Sequence, residues 1–247
     1  MNTTAALLCE LHAHSTWSDG VLQLRQLVDL YGENGFDVLC LTDHVVRGND
    51  ARSPRQNDRP EHVNALNFQL YLAEVRAECE RALERYELLV IPGLELTFND
   101  PDPSFAAHAL AIGLDTFVSP DAGLEAALAE ARAAGAALIA AHPYSARAAA
   151  ATTRAKTARW GREWRSLQTL VDRFELANRT DIFDWVARAG LPAVASGDFH
   201  RPEHLATWKT LLPCEKDEQV VVAYLRSGLP AYLADWRVRT AEIAAAA

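Results

Sequence analysis

The chain has 247 residues, of which 49% are hydrophobic, so it can bury one large core. Its 24 Lys and Arg residues against 33 Asp and Glu residues give a formal net charge of −9, which argues against a surface that grips long nucleic acid. No apolar run reaches the roughly 18 residues of a transmembrane helix, so we expect no membrane partner.

The amino-terminal residues and the cysteines predict a cytoplasmic protein. The opening segment "MNTTAALLCELHAH" lacks the basic start and long apolar stretch of a signal peptide. Cys9, Cys40, Cys79 and Cys214 lie far apart without CxxC spacing, and two of them fall inside apolar runs. Cysteines placed in this way are typical of small buried apolar residues in a reducing compartment.

Strand-like and helix-like segments alternate along the chain. Apolar runs typical of strands cover residues 7–11, 37–42, 88–92, 108–112, 137–141, 173–176 and 192–195. The spacing predicts helices at residues 21–34, 60–85, 120–134, 181–189 and 216–227. Alternation of this kind indicates a parallel sheet, and seven strands favour a closed or nearly closed barrel. We therefore expect residues 1–247 to form a single α/β barrel domain.

Residue types that bind metals recur where the apolar runs end. They are His12, His14, Asp19, Asp43, His44, Glu95, His108, His142, Asp198 and His200. Alternate residues of a strand share a face, so His12 and His14 can face one ion while Ala13 points away. A mixture of imidazole and carboxylate ligands suits Zn, Mn or Fe better than Mg or Ca. The pattern predicts a multinuclear metallohydrolase with its site at the carboxyl ends of the strands.

The ordered motifs "LHAHSTWSDG", "LTDH", "GLEL", "AHPY" and "GDFH" resemble those of the polymerase and histidinol phosphatase (PHP) superfamily, and the resemblance runs from about residue 9 to residue 201. It implies a distorted (β/α)7 barrel, similar to a TIM barrel, that binds up to three divalent metal ions. It also implies three ligand sets: His12, His14, Glu95 and Asp198 for the first metal, Glu95, His108 and His142 for the second, and Asp19, His44 and His200 for the third.

Several residues have alternative interpretations. His62 competes with His108 for the second metal, because a strand, a turn and a returning strand must fit into the 13 residues between Glu95 and His108. Asp43 is either a partner that orients an imidazole or a turn-forming residue. We interpret His204 as a surface or helix-start residue.

The activity implied by the resemblance is hydrolysis of a phosphate ester at a trinuclear site, with a metal-bridging hydroxide as the nucleophile. Glu95, Asp198 and His200 are the predicted catalytic residues, and Arg147 and Arg179 are candidates for binding the phosphate. Three divalent ions carry six positive charges, and the carboxylates of the predicted ligands carry three negative charges. The surplus of about three positive charges suits a small phosphomonoester.

Other functions remain open. A phosphodiesterase or exonuclease acting on nucleotides or short oligonucleotides is the first alternative, a non-catalytic metal-binding module is the second, and hydrolysis of a C–N bond is a further one. Specificity is expected in residues 47–59, 99–106 and 145–161, the last of which is predicted to be a mobile loop over the site. The pattern does not indicate an oligomeric state.

Overall fold

The computed structural model describes residues 6–48, 50, 62–145 and 157–236. The strands are β1 (Leu7–Ala13), β2 (Val38–Leu41), β3 (His44–Val46), β4 (Leu89–Phe98), β5 (Ala107–Ile112), β6 (Ala137–Ala141), β7 (Arg173–Asn178), β8 (Asp181–Ile182), β9 (Ala193–Ser196), β10 (Trp208–Leu212) and β11 (Tyr232–Asp235). The helices are α1 (Leu24–Glu33), α2 (Phe68–Tyr86), α3 (Leu124–Ala133), α4 (Arg159–Leu167), α5 (Asp184–Arg188) and α6 (Glu218–Arg226).

These strands form one mixed, curled sheet. The order along its main path is β11-β10-β1-β2-β4-β5-β6-β7-β8, with β3 paired to β4 and β9 paired to β7. The curl brings distant parts of this order together, because Ala13 at the end of β1 forms a parallel bridge with Phe199, just beyond β9. All seven predicted strands are present, and the mixed α/β class is confirmed.

The expectation of a wholly parallel sheet is wrong at β5. This strand pairs antiparallel with both β4 and β6. Only residues 99–106 connect β4 to β5, and a parallel crossover needs about a dozen residues or more. His108 therefore lies near the amino end of its strand, although it reaches the same edge of the sheet as the other predicted ligands.

Alternating side chains place an apolar cluster on each face of the sheet. Along β2, Val38 and Cys40 belong to one cluster, whereas Leu39 and Leu41 belong to the other. The Leu39 side packs against α1, α2 and α3. The Val38 side packs against α6 and includes Ile91 of β4. Glu95 lies four residues beyond Ile91 and so continues the same face towards the strand end.

Each of the five predicted helices begins later than predicted, and two of the late starts have a clear local cause. The structure begins α2 at Phe68 instead of residue 60, because Asn64 and Asn67 form a turn in which the Asn64 side chain accepts from the N–H of Asn67 and the Asn67 side chain accepts from the N–H of Asn64. Within the predicted helix 181–189, Asp181 and Ile182 instead return as a short strand against β7. Only Asp184–Arg188 is helical there.

The sequence patterns did not predict β3, β8, β10, β11 or α4. The last of these, α4, occupies part of the segment 145–161 that carried no clear pattern, and residues 146–156 of that segment lie outside the described residues. Within the described helices, none has both the length and the apolar character needed to cross a bilayer.

Candidate metal centre

Glu95 lies at the centre of a group of imidazoles. Its side chain is fully buried near the end of β4. The Oε2 atom lies 3.3 Å from Nε2 of both His12 and His14. The Oε1 atom lies 3.0 Å from Nδ1 of His108 and 3.1 Å from Nε2 of His142. Oε2 also lies 2.9 Å from Nδ1 of His44. One carboxylate therefore contacts five of the predicted ligands, which come from four other segments of the chain.

Asp198 approaches the same point from the segment after β9. Its Oδ1 atom lies 3.5 Å from Nε2 of His12 and 3.6 Å from Nε2 of His14. Asp198 and His142 have φ angles of 43° and 28°, in the left-handed region that residues other than glycine seldom adopt. Backbone conformations of this kind persist where the surrounding contacts hold them, and they cluster at functional sites.

A second group of donor atoms lies beside the first. Asp19 Oδ1 is 3.0 Å from Nε2 of His200 and 3.6 Å from Nε2 of His44. One donor atom each from His14, Asp19, His44 and His200 lies within 4.8 Å of the other three. This group contains the whole set predicted for the third metal. His14 lies in both groups and connects them.

In their neutral forms, two imidazoles present a bare nitrogen to a carboxylate. Nδ1 of His12 donates to Glu175, at 3.0 Å, so the neutral ring keeps a lone pair on Nε2, facing Glu95. The Thr157 hydroxyl donates to the His142 carbonyl and therefore accepts from Nδ1 of His142. In the neutral ring, Nε2 of His142 therefore carries the lone pair and faces Glu95. Two acceptors that face each other repel, and a cation bound to both would turn this repulsion into attraction.

The buried donor atoms fit a metal ion in distance and chemistry. Within the part of the chain that the structure describes, Nε2 of His12, Nε2 of His14 and Oε2 of Glu95 are buried without a hydrogen bond. Each such atom costs about 1–3 kcal/mol unless a partner is supplied. Metal–ligand bonds of about 2.0–2.2 Å place neighbouring ligands roughly 3.0–3.5 Å apart, which matches the spacing around Glu95. The cluster is therefore suited to divalent metal ions.

Around Glu95, the observed groups of donor residues differ from the predicted ligand sets. One group contains His12, Glu95 and His142, and another contains His44, Glu95 and His108. Among the described residues, His108 belongs to a group of this kind and the competitor His62 does not. The structure therefore brings all nine predicted ligands to one site.

Burial and charge set the protonation of the metal-free site. Burial, reinforced by the nearby His200 and His44, lowers the pKa of His14 to about 3. Burial also lowers the pKa of His108 to about 4. Although burial alone would raise the pKa of Glu95, the positive charges of His44 and His12 hold it well below its usual range, and neighbouring carboxylates raise the pKa of both histidines. His14, His108 and Glu95 are therefore already in the forms that bind metals, whereas His12 and His44 would release a proton on binding.

His200 also favours the protonated form. Despite its burial, hydrogen bonds with Asp19 and Asp198 raise the pKa of His200 to about 10. The two carboxylates therefore favour a positive charge at this position. A metal ion would meet the same demand by replacing the proton.

Glu175 is a residue of the site that the sequence patterns missed. It is fully buried in β7, where Oε1 accepts from Nδ1 of His12 and from the hydroxyl of Ser196. Oε2 accepts from the backbone N–H of His142 at 2.5 Å and from Nδ2 of Asn178 at 2.7 Å. Glu175 thus fixes the tautomer of one candidate ligand and the backbone of another. The available signal was a glutamate within the otherwise strand-like run "RFELAN".

Asp43 supports His14 and does not approach the metal site directly. Its carboxylate accepts from the backbone N–H of Ser15 at 2.8 Å and from the hydroxyl of Ser18 at 2.7 Å. The Ser18 oxygen lies 3.2 Å from Nδ1 of His14. Both interpretations of Asp43 therefore apply: it stabilises the turn after β1 and, through Ser18, orients an imidazole.

Of the two arginines predicted to bind phosphate, the structure describes one. Arg179 lines the cavity above the site, donates from Nε to the Asp198 carbonyl at 3.0 Å and places a terminal nitrogen 3.0 Å from Asp198 Oδ2. Arg147 lies outside the described residues. His204, interpreted as a surface or helix-start residue, is half-buried in the cavity wall at the end of the short 3-10 helix Pro202–His204, and its Nδ1 accepts from the N–H of His200 at 3.1 Å.

The site opens into a cavity of about 810 Å³. Sites for small molecules commonly enclose about 300–1,000 Å³. Several lining residues were not predicted: Tyr144, Thr157, Asn178, Thr180, Asp181, Arg201, Glu203 and Thr207. They come from the segments after β6, β7 and β9, where neighbouring strand ends bring distant parts of the chain together.

Comparison with known proteins agrees with the resemblance in the motifs. No family model matches the sequence. A segment covering 37% of the chain is 28% identical, over 94 residues, to the DNA polymerase/3′-5′ exonuclease PolX of Bacillus subtilis. The match covers 15% of that relative's length.

Solved structures share the fold over most of the chain. A two-domain protein from Bacteroides vulgatus that contains a predicted PHP-like metal-dependent phosphoesterase superimposes with a TM-score of 0.65 at 22% identity, covering 94% of this chain and 66% of that one. A protein from Bifidobacterium adolescentis, provisionally named a metal-dependent phosphoesterase, gives 0.50 at 14% identity, over 79% of this chain and 88% of that one. An amidohydrolase from Chromobacterium violaceum, with bound sulfate and no metal, gives 0.50 at 17% identity, over 78% and 88%. The chain therefore has the fold of the PHP-like metal-dependent phosphoesterases, and the predicted resemblance is confirmed.

Proposed function

We propose that the chain is a metal-dependent phosphoesterase that prefers small phosphomonoesters. The observation that carries this proposal is the convergence of three buried donor atoms without a hydrogen bond, from His12, His14 and Glu95, below the cavity. The cavity has the volume of a small-molecule site. Its wall includes Arg179, a side chain suited to phosphate oxygens.

We assign up to three ions of Zn, Mn or Fe to this centre. The ligand sets are His12, His14, Glu95 and Asp198 for the first, Glu95, His108 and His142 for the second, and Asp19, His44 and His200 for the third. When bound, the ions supply Lewis acidity to the phosphoryl group and activate the attacking water.

The charge near the proposed ligands favours a dianionic substrate. Glu175 adds one negative charge in contact with His12, and Arg179 adds one positive charge in contact with Asp198. The two additions cancel, so the surplus of three positive charges counted for three divalent ions is unchanged. A phosphate monoester dianion and a hydroxide together neutralise this surplus, whereas an uncharged amide substrate leaves more of it in place.

Residues of the wall orient the substrate in this proposal. Asp198 holds the Arg179 guanidinium at the cavity, where its remaining N–H groups bind phosphate oxygens. His204 lies in the same wall, where its Nδ1 accepts from the N–H of His200 at 3.1 Å and its Nε2 faces the Nε of Arg201 at 3.4 Å. Glu95, Asp198 and His200 are the groups nearest the reacting atoms, and Asp198 and His200 are the candidates for proton transfer.

A phosphodiesterase or exonuclease acting on nucleotides or short oligonucleotides is the second candidate. The observation that favours it is the partial likeness to PolX of Bacillus subtilis, which is named as a 3′-5′ exonuclease. The formal charge of −9 favours the small substrate, because long nucleic acid is bound mainly through Lys and Arg contacts with its phosphates.

We also infer that β1, β2, β4, β5, β6, β7 and β9 form the ring of a distorted (β/α)7 barrel. Two backbone hydrogen bonds support closure between β1 and the segment after β9: His14 N donates to the Phe199 carbonyl, at 2.8 Å, and Phe199 N donates to the His12 carbonyl, at 2.9 Å. The single domain over residues 1–247 and the cytoplasmic location remain predictions.

Turnover of defined phosphate esters tests the function. Purified protein loaded with Zn, Mn or Fe is assayed against phosphomonoesters, a generic diester and short oligonucleotides, with metal content measured on the same samples. We expect phosphate release from monoesters and its loss in His12→Ala. Activity confined to diesters would support the second candidate. Metal-loaded protein that hydrolyses none of the esters would contradict the phosphoesterase proposal.

A matched pair of histidine variants tests the second ligand set. We expect His108→Ala to lose bound metal and activity, because its Nδ1 contacts Glu95. His62→Ala is the control and should retain both, since His62 belongs to none of the donor groups found among the described residues. The reverse result would transfer the assignment from His108 to His62.

A further inference from the structure

We propose that Glu10 is a positioning residue for the metal centre and that Lys209 is its buried counter-ion. The inference rests on the proposed function, because it concerns the backbone that carries two of the assigned ligands. Both side chains are completely buried, and Lys209 Nζ lies 2.8 Å from Glu10 Oε2. Neither residue contacts the cavity, so neither is assigned to substrate or metal binding.

One oxygen of Glu10 holds two ligand-bearing segments together. Oε1 accepts from the backbone N–H of His12 at 3.2 Å and from the backbone N–H of Gly197 at 2.8 Å. His12 belongs to β1, and Gly197 immediately precedes Asp198. A single carboxylate oxygen therefore bridges the first strand of the chain and the segment that follows β9.

The bond to His12 occurs where β1 changes its pairing. The register between β1 and β2 shifts between Glu10 and Ala13. Cys9, before the shift, and Leu11, within it, belong to the apolar cluster that contains Ile91. His12 lies next to Leu11 and yet reaches Glu95. The irregularity thus brings His12 to the metal face, and Glu10 accepts the backbone N–H of His12 there.

The bond to Gly197 requires a residue without a side chain. A Cβ atom at Gly197 would lie 2.4 Å from Glu10 Oε2 and 2.5 Å from Lys209 Nζ, both far inside van der Waals contact. The ion pair is therefore packed directly against this backbone. The next residue, Asp198, has the left-handed φ of 43° that surrounding contacts must hold.

Lys209 connects the buried ion pair to residues of the cavity wall. Its Nζ donates to the hydroxyl of Thr207 at 2.8 Å and approaches the carbonyl of His204 at 3.4 Å. Tyr31 donates to Glu10 Oε2 at 3.0 Å. A buried ion pair is seldom more stabilising than apolar residues of similar volume. A role in setting the geometry of two ligand segments explains why a polar pair occupies this place.

Two double variants separate positioning from stability. Glu10→Gln with Lys209→Met removes both charges but keeps an amide oxygen that accepts from His12 and Gly197. Glu10→Leu with Lys209→Met also removes both charges but provides no acceptor. The matched control is Asp172→Asn, because Asp172 accepts from the Leu138 backbone N–H at 2.7 Å and pairs with Arg132 at 2.9 Å, at the opposite end of β6 from His142.

The measurement is a binding isotherm for Mn²⁺ or Zn²⁺ on metal-free protein, at a temperature where circular dichroism shows each variant folded. We expect the Glu10→Gln double variant to bind within about threefold of wild type and the Glu10→Leu double variant to bind roughly 10- to 100-fold more weakly, the range for residues that orient metal ligands. The control should bind like wild type even where urea unfolding shows a loss of stability.

If the Glu10→Leu double variant is folded and binds the metal ion with wild-type affinity, the proposal is overturned. The pair would then have a purely structural role. Equal weakening in both double variants would also overturn it, because the acceptor oxygen would then have no separate effect. Failure of the proposed function is seen independently, as wild-type protein that binds metal and hydrolyses no ester. Wild-type protein that binds no metal would overturn both.

Discussion

Replacing Glu175 with Gln tests the hydrogen-bond network behind the metal centre. The substitution keeps the shape of the side chain and changes one oxygen into an N–H donor. In the native chain both oxygens act only as acceptors, Oε1 for His12 Nδ1 and Ser196, and Oε2 for the backbone N–H of His142 and for Asn178. A glutamine amide supplies only one oxygen, so its NH2 group faces a donor in either orientation.

The expected loss follows from which donor is left without an acceptor. The Ser196 hydroxyl and the Asn178 amide can turn to accept, but the His142 backbone N–H cannot. If the NH2 group faces His12, the imidazole must lose its donor role or move its proton to Nε2, the atom that faces Glu95. One buried donor without a partner costs about 1–3 kcal/mol of the free energy of unfolding. Disturbed orientation of His12 should weaken metal binding roughly 10- to 100-fold.

Two measurements check this prediction. Urea unfolding in the presence of a chelator gives the change in stability, and a Mn²⁺ titration of the folded variant gives the change in affinity. Glu125→Gln is the control, because Glu125 is a half-exposed surface carboxylate paired with Arg159, and surface pairs contribute about 0–1 kcal/mol. A Glu175→Gln protein within about 0.5 kcal/mol of wild type, with metal affinity within twofold, would refute the reasoning.

Three further predictions follow from the site. In metal-free protein, the pKa values of about 3 for His14 and about 4 for His108 lie below the ordinary value of about 6.5. The unfolded state therefore binds more protons, and the free energy of unfolding falls as the pH drops from about 6.5 to about 4. His200, with a pKa of about 10, contributes stability that is lost as the pH rises from about 6.5 to about 10. Urea unfolding from about pH 4 to about pH 10 checks the acid and the alkaline decrease, and a free energy of unfolding that does not change with pH would contradict both. Arg179→Lys should lower kcat/KM for a phosphomonoester roughly 10- to 100-fold, because a charge-assisted hydrogen bond worth about 1.5–3 kcal/mol is lost, and a value within twofold of wild type would remove Arg179 from the substrate site. Gly20→Ala should reduce bound metal, measured by elemental analysis, because a Cβ at this position would lie 2.2 Å from the His14 carbonyl oxygen; full metal content would show that the turn adapts.

Strand assignments from the sequence were reliable because each predicted strand is a buried apolar run. Strands that do not coincide with such a run were missed for the converse reason. In β10, Lys209 interrupts the apolar pattern, and its buried charge is paired with the distant Glu10. In β8, two exposed residues are extended because they pair with β7. Pairing of this kind depends on neighbours that are distant in sequence.

The nine candidate ligands were identifiable from the sequence because imidazoles and carboxylates at the ends of apolar runs form a local pattern with a chemical meaning. The alternation of β1 was interpreted correctly for His12 and His14, whose Nε2 atoms both lie 3.3 Å from Glu95. The choice between His108 and His62 required the antiparallel return of β5, which determines which of them reaches Glu95.

The sequence by itself determined the elements that carry the site and the chemistry of its candidate ligands, because both are encoded in short stretches of chain. Only the tertiary structure decided how the ligands are held. Glu175 approaches His12 across 163 residues, and Glu10 approaches Gly197 across 187. Such contacts leave no periodic signal, since a buried carboxylate is recognisable only by the donors that surround it. They exist because the curled sheet brings β1, β7 and β9 together at one end.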